Sequence, residues 1–424
     1  MTLILLILGV MILLIIGLPV AFSLGIPSII YFLLNDLEWA VVSQRITKGT
    51  DSFTMLAIPL FILAGAIMNN SGVTDRLFTF ANLLVGHIKG GLAHVNVVAS
   101  MIFAGMSGSI VADVGGLGQI EIKAMKNRGF SAPFTAAITA ASSLIGPIIP
   151  PSILFIVYGG LTGASIGALF IAGALPGIIM ALFLMVTIYL LAIKYKFPVE
   201  QRSSFVNLVK SFFLALPSML TPLIIVGGIL LGIVTPTEAS VIACLYALLL
   251  GVVYREISLN DLPKIAHEVV ITTSIVMFIL AVSNLFSWIL IKEKIGPIML
   301  EFFTSFTDSS LVIFILIIMI GIILGLFLDA TTSLIIMIPI LMPILQSYDI
   351  NLIHFGIVFI IALGFGSITP PVGLAMYMSS NLAKVSIVEF VRASLPFFVA
   401  LLLCIVLLIL IPQISLWLPN LFIN

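Results

Sequence analysis

Charge is scarce in this sequence: only 8% of its 424 residues are charged, against about 25% in soluble globular proteins. Seventeen Lys and Arg residues balance seventeen Asp and Glu residues, which removes any electrostatic argument for nucleic-acid binding. The two cysteines, Cys244 and Cys404, lie within apolar runs, so they predict neither disulfides nor a metal site. The N-terminus lacks the basic segment and cleavage site of a signal peptide, so we expect its apolar run to be a retained span.

What the sequence has in abundance is apolar side chains. Hydrophobic residues make up 62% of the chain and the mean hydropathy is +1.35. A soluble protein cannot bury that much apolar surface in one core, because such cores stop growing near about 250–300 residues. The apolar runs are continuous and do not alternate as the strands of an outer-membrane barrel do. The sequence therefore predicts an all-α polytopic membrane protein.

The apolar runs divide into candidate spans by length, since a spanning helix needs roughly 17–25 residues. Residues 1–34 are too long for one span, and Gly17 and Pro19 offer a break into two. Polar connectors are expected at 36–51, 72–90, 194–210 and 255–267. The further apolar segments are 52–70, 92–122, 130–157, 163–193, 212–234, 237–254, 268–291, 310–345, 355–380 and 393–418.

Two of these segments, 92–122 and 310–345, have polar, glycine-containing centres. The first holds the cluster 105–109 (GMSGS) and Asp113, and the second holds Gly325 and Asp329. A carboxylate at mid-membrane costs about 2.5–3.5 kcal/mol and should therefore face protein, water or a ligand. Irregular backbone at that depth is tolerated only where it is buried or lines a cavity. We predict two re-entrant helical hairpins, with Asp113 and Asp329 the only acids at hairpin depth.

The distribution of basic residues supports the hairpins. If both segments return to the side from which they enter, thirteen basic residues fall on one side of the membrane. Four fall on the other: Arg45, Lys48, Lys292 and Lys294. The positive-inside rule makes the first side cytoplasmic. Both termini are then expected outside.

An internal repeat is the most informative pattern. The stretch 146–151 (GPIIPP) matches 366–371 (GSITPP) at a displacement of about 220 residues, and each stretch follows a predicted hairpin. With the hairpins entering from opposite sides, the halves form an inverted repeat, the architecture of secondary transporters. Each proline pair should unwind its helix. Carbonyls freed at Gly146, Ile149, Gly366 and Thr369 become candidate cation ligands, while half-helix N-termini favour an anion.

Several polar residues admit more than one interpretation. Ser107 and Ser109 are candidate tip ligands, or small residues that allow close packing. Asp329 either binds substrate or a coupling ion, or caps the helix that begins with Thr331 and Thr332. The hydroxyls of Thr331, Thr332 and Ser333 are either candidate ligands at the hairpin tip or hydrogen-bond partners of nearby backbone groups. Glu238 is expected to be a helix cap. The roles of Asp113, Asn70 and Asn284 stay open.

Two other functional classes are weaker. The stretch 105–108 matches the GxSG of intramembrane serine proteases, but that chemistry needs a histidine base near Ser107. All four histidines fall at predicted membrane edges. A channel is disfavoured because no filter motif or arginine run occurs.

At these residues the chain resembles the large membrane subunit of tripartite ATP-independent periplasmic (TRAP) transporters, over essentially its whole length. The resemblance is carried by 59–61 (PLF) with 64–65 (AG), 105–109 with 112–113 (AD), 146–152, 236–239 (PTEA), 328–329 (LD) and 369–371 (TPP).

The resemblance implies sodium-coupled uptake of an organic acid, such as sialic acid or a C4-dicarboxylate, by an elevator mechanism. It implies scaffold helices in 1–90 and 194–291, and transport-domain halves in 91–193 and 292–424. It also implies a bacterial inner-membrane location with periplasmic termini, contact with membrane lipid, and no enzymatic activity. The expected partners are a small four-helix membrane subunit and a periplasmic substrate-binding protein. The alternatives are a self-sufficient sodium/anion symporter of similar fold and, with less support from the residues, an intramembrane serine hydrolase.

The resemblance also suggests sites for two or more coupling sodium ions and for the substrate. The first sodium set is Ser107, Gly146, Ile149 and Pro151. The second is Gly325, Gly366, Thr369 and Val372. Substrate is expected between the hairpin tips, at Ser109, Asp329 and Thr332.

Overall fold

In a computed structural model the described residues, 2–422, form helices and turns without any β-strand. The first half contains α1 (Thr2–Ile15), α2 (Val20–Leu34), α3 (Trp39–Thr50), a 3₁₀ turn (Phe53–Leu56), α4 (Ala57–Asn69), α5 (Val73–Val85), α6 (Leu92–Ser107), α7 (Ile110–Ala112), a π-helical turn (Asp113–Leu117), α8 (Gly118–Asn127), α9 (Ala132–Ser143), α10 (Ile153–Thr162) and α11 (Ile166–Tyr195). The second half contains α12 (Phe205–Leu230), α13 (Pro236–Val253), α14 (Leu262–Lys292), α15 (Ile295–Thr304), α16 (Ser310–Gly325), α17 (Ala330–Ser347), α18 (Leu352–Ser367), α19 (Leu374–Ala383), α20 (Ile387–Leu410) and α21 (Gln413–Phe422).

The chain is a multi-pass membrane protein. Among the described residues, six helices are long and apolar enough to cross a membrane: α11, α12, α13, α14, α17 and α20. Helix α3 together with the segment Phe53–Asn69, bent by 54° at the break between them, is a seventh candidate span. Helix α12 is the least buried of the six, with apolar side chains such as Phe213 and Leu223 exposed. Such a helix suits a lipid-facing or partner-facing position.

The two halves repeat the same order of elements. Each has two helices, a span, an amphipathic surface helix, a hairpin, a broken helix and a long span. The halves differ in the span that follows the first two helices. In the second half this span is α14, which runs unbroken for 31 residues, whereas in the first half it is divided into α3 and α4 at Asp51. The predicted internal repeat is confirmed.

Both predicted hairpins are confirmed by contacts between their arms. In the first, Asn96 of α6 contacts Glu121 of α8, and Ser100 contacts Asp113 further towards the tip. In the second, the Tyr348 hydroxyl after α17 donates to the Thr307 carbonyl before α16, at 2.9 Å. The two ends of that hairpin therefore meet on the same side.

The broken helices run through the centre of the molecule. The first consists of α9 and α10 and the second of α18 and α19, and both Pro-Pro bonds at the breaks are cis. Residues 134–148 and 354–368 are buried without interruption, so these half-helices have neighbours on every side. The Tyr158 hydroxyl near the end of α10 donates to the Leu352 carbonyl at the start of α18, at 2.6 Å. The two broken helices thus cross in opposite directions.

Some predicted boundaries are wrong. The polar connectors 36–51 and 72–90 contain helices α3 and α5. Each of these is amphipathic, so its polar face lowered the average hydropathy although its apolar face packs inward. Helices α12 and α14 begin at Phe205 and Leu262, earlier than the expected 212 and 268, for the same reason. The expected cap at Glu238 is confirmed, since its carboxylate and the Thr235 hydroxyl form a reciprocal capping box.

Candidate transport site

A cavity of about 480 Å³ lies where the hairpin tips and the helix breaks meet. Both tips and both broken helices contribute to its wall, together with helices α4 and α14. Its polar lining side chains are Asn69, Ser107, Ser109, Glu268, Thr272, Asp329, Thr331 and Ser367. The expectation that the tips and breaks come together is met in this geometry.

The cavity is surrounded by the N-terminal ends of helices. The first residues of α7, α10, α17 and α19 all line it. Helix N-termini carry unpaired backbone N–H groups and a partial positive charge of about half an elementary charge for a full-length helix. Helix α7 continues without a break through the π-helical turn into α8, so each of the four N-termini begins a helix of ten residues or more. The site is therefore suited to an anion although no Lys or Arg lines it.

The predicted substrate residues occupy different positions around this cavity. Ser109 and Asp329 both line it and both cap a helix. Ser109 accepts a long hydrogen bond from the Ala112 amide (3.5 Å), and Asp329 accepts from the Thr332 amide (3.0 Å) and the Thr332 hydroxyl (2.5 Å). Thr332 is itself 0% exposed and lies behind Asp329, whereas Thr331 lines the cavity. Thr332 thus orients the carboxylate, and Thr331 is the hydroxyl that faces the cavity.

The first predicted sodium set lies where hairpin one packs on the first break. A Cβ on Gly108 would lie 2.6 Å from the Pro151 carbonyl oxygen, and one on Gly146 would lie 3.2 Å from the Ser109 oxygen. The Ser107 side chain is 6% exposed, and its Oγ has no hydrogen-bond partner in the described part of the chain. A buried hydroxyl without a partner is costly unless something coordinates it. These groups fit a small hard cation.

The second predicted sodium set lies at the equivalent contact in the other half. Gly325 and Gly366 touch through their backbones, so a Cβ on Gly366 would lie 2.5 Å from the Gly325 Cα. The Val372 amide donates to the Leu326 carbonyl at 3.1 Å, which ties the break to the tip. The Thr369 hydroxyl donates to the Phe365 carbonyl at 2.8 Å, leaving its oxygen lone pairs free. This oxygen-rich contact also fits a hard cation.

Asn69 of α4, which the sequence offers as a structural bridge or a substrate contact, lines the cavity, and Glu268 of α14 is a lining residue that the sequence reasoning missed. Asn69 ends α4, and Glu268 stands within the first two turns of α14 in a stretch predicted to be a connector. Asn70 is exposed and its Nδ2 donates to the Ala66 carbonyl. Asn284 packs against Gly49 of α3 and does not line the cavity. Nothing in the sequence pointed to Glu268 as a cavity residue except its position at the edge of a predicted span.

Asp113 does not line the cavity, and a second acid of the first hairpin, Glu121, is buried with it although the sequence reasoning did not single it out. Asp113 and Glu121 are 1% and 0% exposed, packed between α6, α8 and α9. Glu121 was missed because it falls at the end of the apolar run 92–122, where hydropathy alone places it near the surface.

The hydrolase alternative has no support in the described residues. Ser107 has no hydrogen-bond partner, and the nearest histidine along α6, His94, has its Nε2 2.9 Å from the Lys89 carbonyl. A serine nucleophile needs a base within hydrogen-bond reach.

Comparison with known proteins places the chain among transporters. A family model described as "Tripartite ATP-independent periplasmic transporter, DctM component" matches residues 7–414. The sialic acid TRAP transporter large permease protein SiaM of Vibrio cholerae is 41% identical over 383 residues, covering 90% of each chain. The C4-dicarboxylate TRAP transporter large permease protein DctM of Pseudomonas aeruginosa is 38% identical, covering 89% of this chain and 88% of that one.

A solved structure shares the fold at low identity. The Alcanivorax borkumensis YdaH transporter has a TM-score of 0.62 and 12% sequence identity, over 89% of this chain and 88% of the other. The relatives are named as transporter permeases, in agreement with the expectation that the chain is not an enzyme. The chain belongs to the family of tripartite ATP-independent periplasmic transporter DctM components.

Proposed function

We propose that this protein is the large membrane subunit of a sodium-coupled transporter that imports an organic acid. The observation that carries the proposal is the convergence of four helix N-termini and two tip residues, Ser109 and Asp329, on one cavity. Helix N-termini compensate a carboxylate without placing a full positive charge in the membrane. The relatives named for sialic acid and for C4-dicarboxylates both concern carboxylate substrates, and we propose a substrate of that class.

Sodium binding would couple to substrate through the contacts between tips and breaks. Ser107 with the carbonyls of Gly146, Ile149 and Pro151 would hold one ion, and Gly325, Gly366, Thr369 and Val372 would hold another. Each set joins a hairpin to an unwound helix, so an ion there would fix the adjacent helix N-terminus. The anion site would then be complete only when both ions are bound.

An elevator movement is supported by the way the halves pack. Helices α13 and α14 of the second half pack on α4 and α3 of the first, with the Thr237 hydroxyl donating to the Phe53 carbonyl at 2.8 Å. Separately, α9 packs on α19 and α20, and Lys126 Nζ donates to the Ala383 carbonyl at 3.0 Å. We propose that the first group is the scaffold (1–90 and 194–291) and the second the transport domain (91–193 and 292–424).

The cavity would represent an inward-facing state. It reaches Asn69 and Glu268, at the ends of α4 and α14 that adjoin the basic loops. The positive-inside rule assigns these loops to the cytoplasm, which places both termini in the periplasm of a bacterial inner membrane. A small four-helix membrane subunit beside the scaffold and a periplasmic substrate-binding protein are the proposed partners.

Reconstitution tests both the coupling and the need for partners. Proteoliposomes containing the chain, its small subunit and its binding protein should accumulate the acid when sodium is high outside. Replacing sodium with potassium should reduce uptake to the level of empty liposomes. Omitting either partner should have the same effect, whereas sodium-driven uptake by this chain alone would establish the self-sufficient symporter instead.

A further inference from the structure

A hydrogen-bonded network of six polar side chains lies inside the first hairpin, behind the transport cavity. Ser100 Oγ is 3.2 Å from Asp113 Oδ1 and 3.2 Å from Ser142 Oγ. Ser142 Oγ is 2.7 Å from Asn96 Oδ1. Asn96 Nδ2 is 2.5 Å from Glu121 Oε2 and 2.8 Å from Thr139 Oγ1. All six side chains are buried.

The second half of the inverted repeat has no such network. The positions corresponding to Asn96 and Ser100 on α16 hold Phe314 and Ile318, and the position corresponding to Glu121 on α17 holds Leu341. These apolar residues show that the hairpin fold itself needs no polar groups there. Two carboxyl groups in a buried, half-apolar hairpin are costly to retain, so they indicate a role of their own.

Neither carboxyl group is balanced by a cation of the chain. Asp113 Oδ2 and Glu121 Oε1 have no hydrogen-bond partner in residues 2–422, and neither acid belongs to an ion pair there. Within the described residues, none of the other titratable groups on these and the surrounding helices hydrogen-bonds or ion-pairs with either acid: Asp75, Arg76, His94, Lys123, Lys126, Tyr158, Tyr189, Lys194, Tyr195, Lys210, Tyr377, Lys384, Glu389, Arg392 and Cys404.

The orientation of the Asn96 amide decides whether the contacts themselves require a proton. With its nitrogen towards Glu121, the amide donates to Glu121 and Thr139, Ser142 donates to the Asn96 oxygen or the Thr139 carbonyl, and Ser100 donates to Asp113. The contacts then require no carboxylic proton, because the single Ser100 hydrogen need not also serve the 3.2 Å contact with Ser142. With the amide reversed, its oxygen lies 2.5 Å from Glu121 Oε2, and this contact needs a proton on Glu121 because a carboxylate cannot donate. In both orientations, two buried carboxyl groups without a cation favour a protonated form.

We propose that Asp113 and Glu121 form a proton-binding site, in which one proton reduces the charge of two buried carboxyl groups that no cation of the described residues balances. Sodium is a poorer occupant because the network's hydroxyl and amide groups already bond to one another. The Asp113 amide donates to the Ser109 carbonyl (3.1 Å), so this site adjoins the tip residue of the cavity. Loss of the proton would leave two buried anions and loosen the hairpin against α9.

Infrared spectroscopy of the purified protein tests the site directly, without relying on the proposed function. We expect a protonated-carboxyl stretch that shifts only slowly in D₂O in the wild-type protein. The band should disappear in the Asp113→Asn/Glu121→Gln double variant and persist in Glu301→Gln, which removes an exposed acid of α15. Absence of the band in the wild-type protein would overturn the proposal whether or not any variant folds.

The transport consequence rests on the proposed function and is measured separately. In proteoliposomes at saturating sodium and substrate, wild-type uptake should fall severalfold from acidic to alkaline pH, because deprotonation loosens the hairpin. The double variant, which can neither bind nor release a proton at these two positions, should lose this dependence. If the variant instead lowers the sodium Hill coefficient and the infrared band is absent, the site binds sodium and the proton assignment is wrong.

Discussion

Replacing Asp329 with Asn should reduce sodium-driven uptake about tenfold to a hundredfold. Hydrogen bonds to charged groups contribute about 1.5–3 kcal/mol, and each 1.4 kcal/mol is a factor of about ten in affinity. Asp329 faces the cavity, where its carboxylate would accept hydrogen bonds from substrate hydroxyls or bind a coupling ion. Asn keeps the shape of the side chain but not the charge.

This substitution separates the two roles of Asp329. Asn is as good an N-cap as Asp, so the contact with the Thr332 amide and the start of α17 should be preserved. Asp308→Asn, an exposed acid at the base of the same hairpin, is the matched control and should transport normally. Membrane insertion and monodispersity should match the wild-type protein in both variants. Wild-type uptake by Asp329→Asn would mean that the carboxylate serves only as a cap.

The helix breaks and hairpin tips could be predicted from sequence because their causes are local. A proline pair unwinds a helix wherever it occurs, as at Pro150 and Pro370, and a carboxylate such as Asp329 is conspicuous in an apolar run. The internal repeat strengthens the prediction of broken helices. One proline pair could be a simple kink, whereas two pairs at equivalent positions of the two halves indicate that both helices are unwound.

The missed residues depend on packing between distant segments. Glu121 is buried only because α6 and α9 bring Asn96 and Thr139 beside it. Glu268 faces the cavity only because α14 begins earlier than its hydropathy indicates. Neither contact can be inferred from neighbouring residues in the sequence. Local hydropathy alone therefore places both Glu121 and Glu268 at the membrane surface.

Replacing Gly366 with Ala should reduce uptake at least about tenfold and raise the sodium concentration needed for half-maximal rate. The added Cβ would lie 2.5 Å from the Gly325 Cα and 2.7 Å from its carbonyl oxygen. Backbone cannot move aside as a side chain can, and inserting a methyl group into packed interior costs about 1–3 kcal/mol. The second hairpin would be pushed from the break, separating the oxygens of the proposed sodium set.

Gly364, two residues before Gly366 on the same buried helix, provides the matched control. A Cβ on Gly364 would meet only side-chain carbons, the nearest being Leu144 Cγ at 3.5 Å, an ordinary van der Waals distance. Gly364→Ala should therefore keep wild-type sodium dependence, and the removal of glycine from α18 should not weaken the helix.

The sodium titration of initial uptake distinguishes a lost ion site from general damage. If Gly366→Ala acts through the proposed site, its rate should recover partly at high sodium, and Thr369→Val should show the same shift without added backbone crowding. Thr369 contributes a hydroxyl oxygen at that contact, and Val replaces it with a methyl group of similar size. Equal sodium curves for Gly366→Ala and Gly364→Ala would show that tip and break need not touch for transport. An unchanged Thr369→Val curve would remove the hydroxyl from the ligand set, leaving the backbone carbonyls alone to bind the ion.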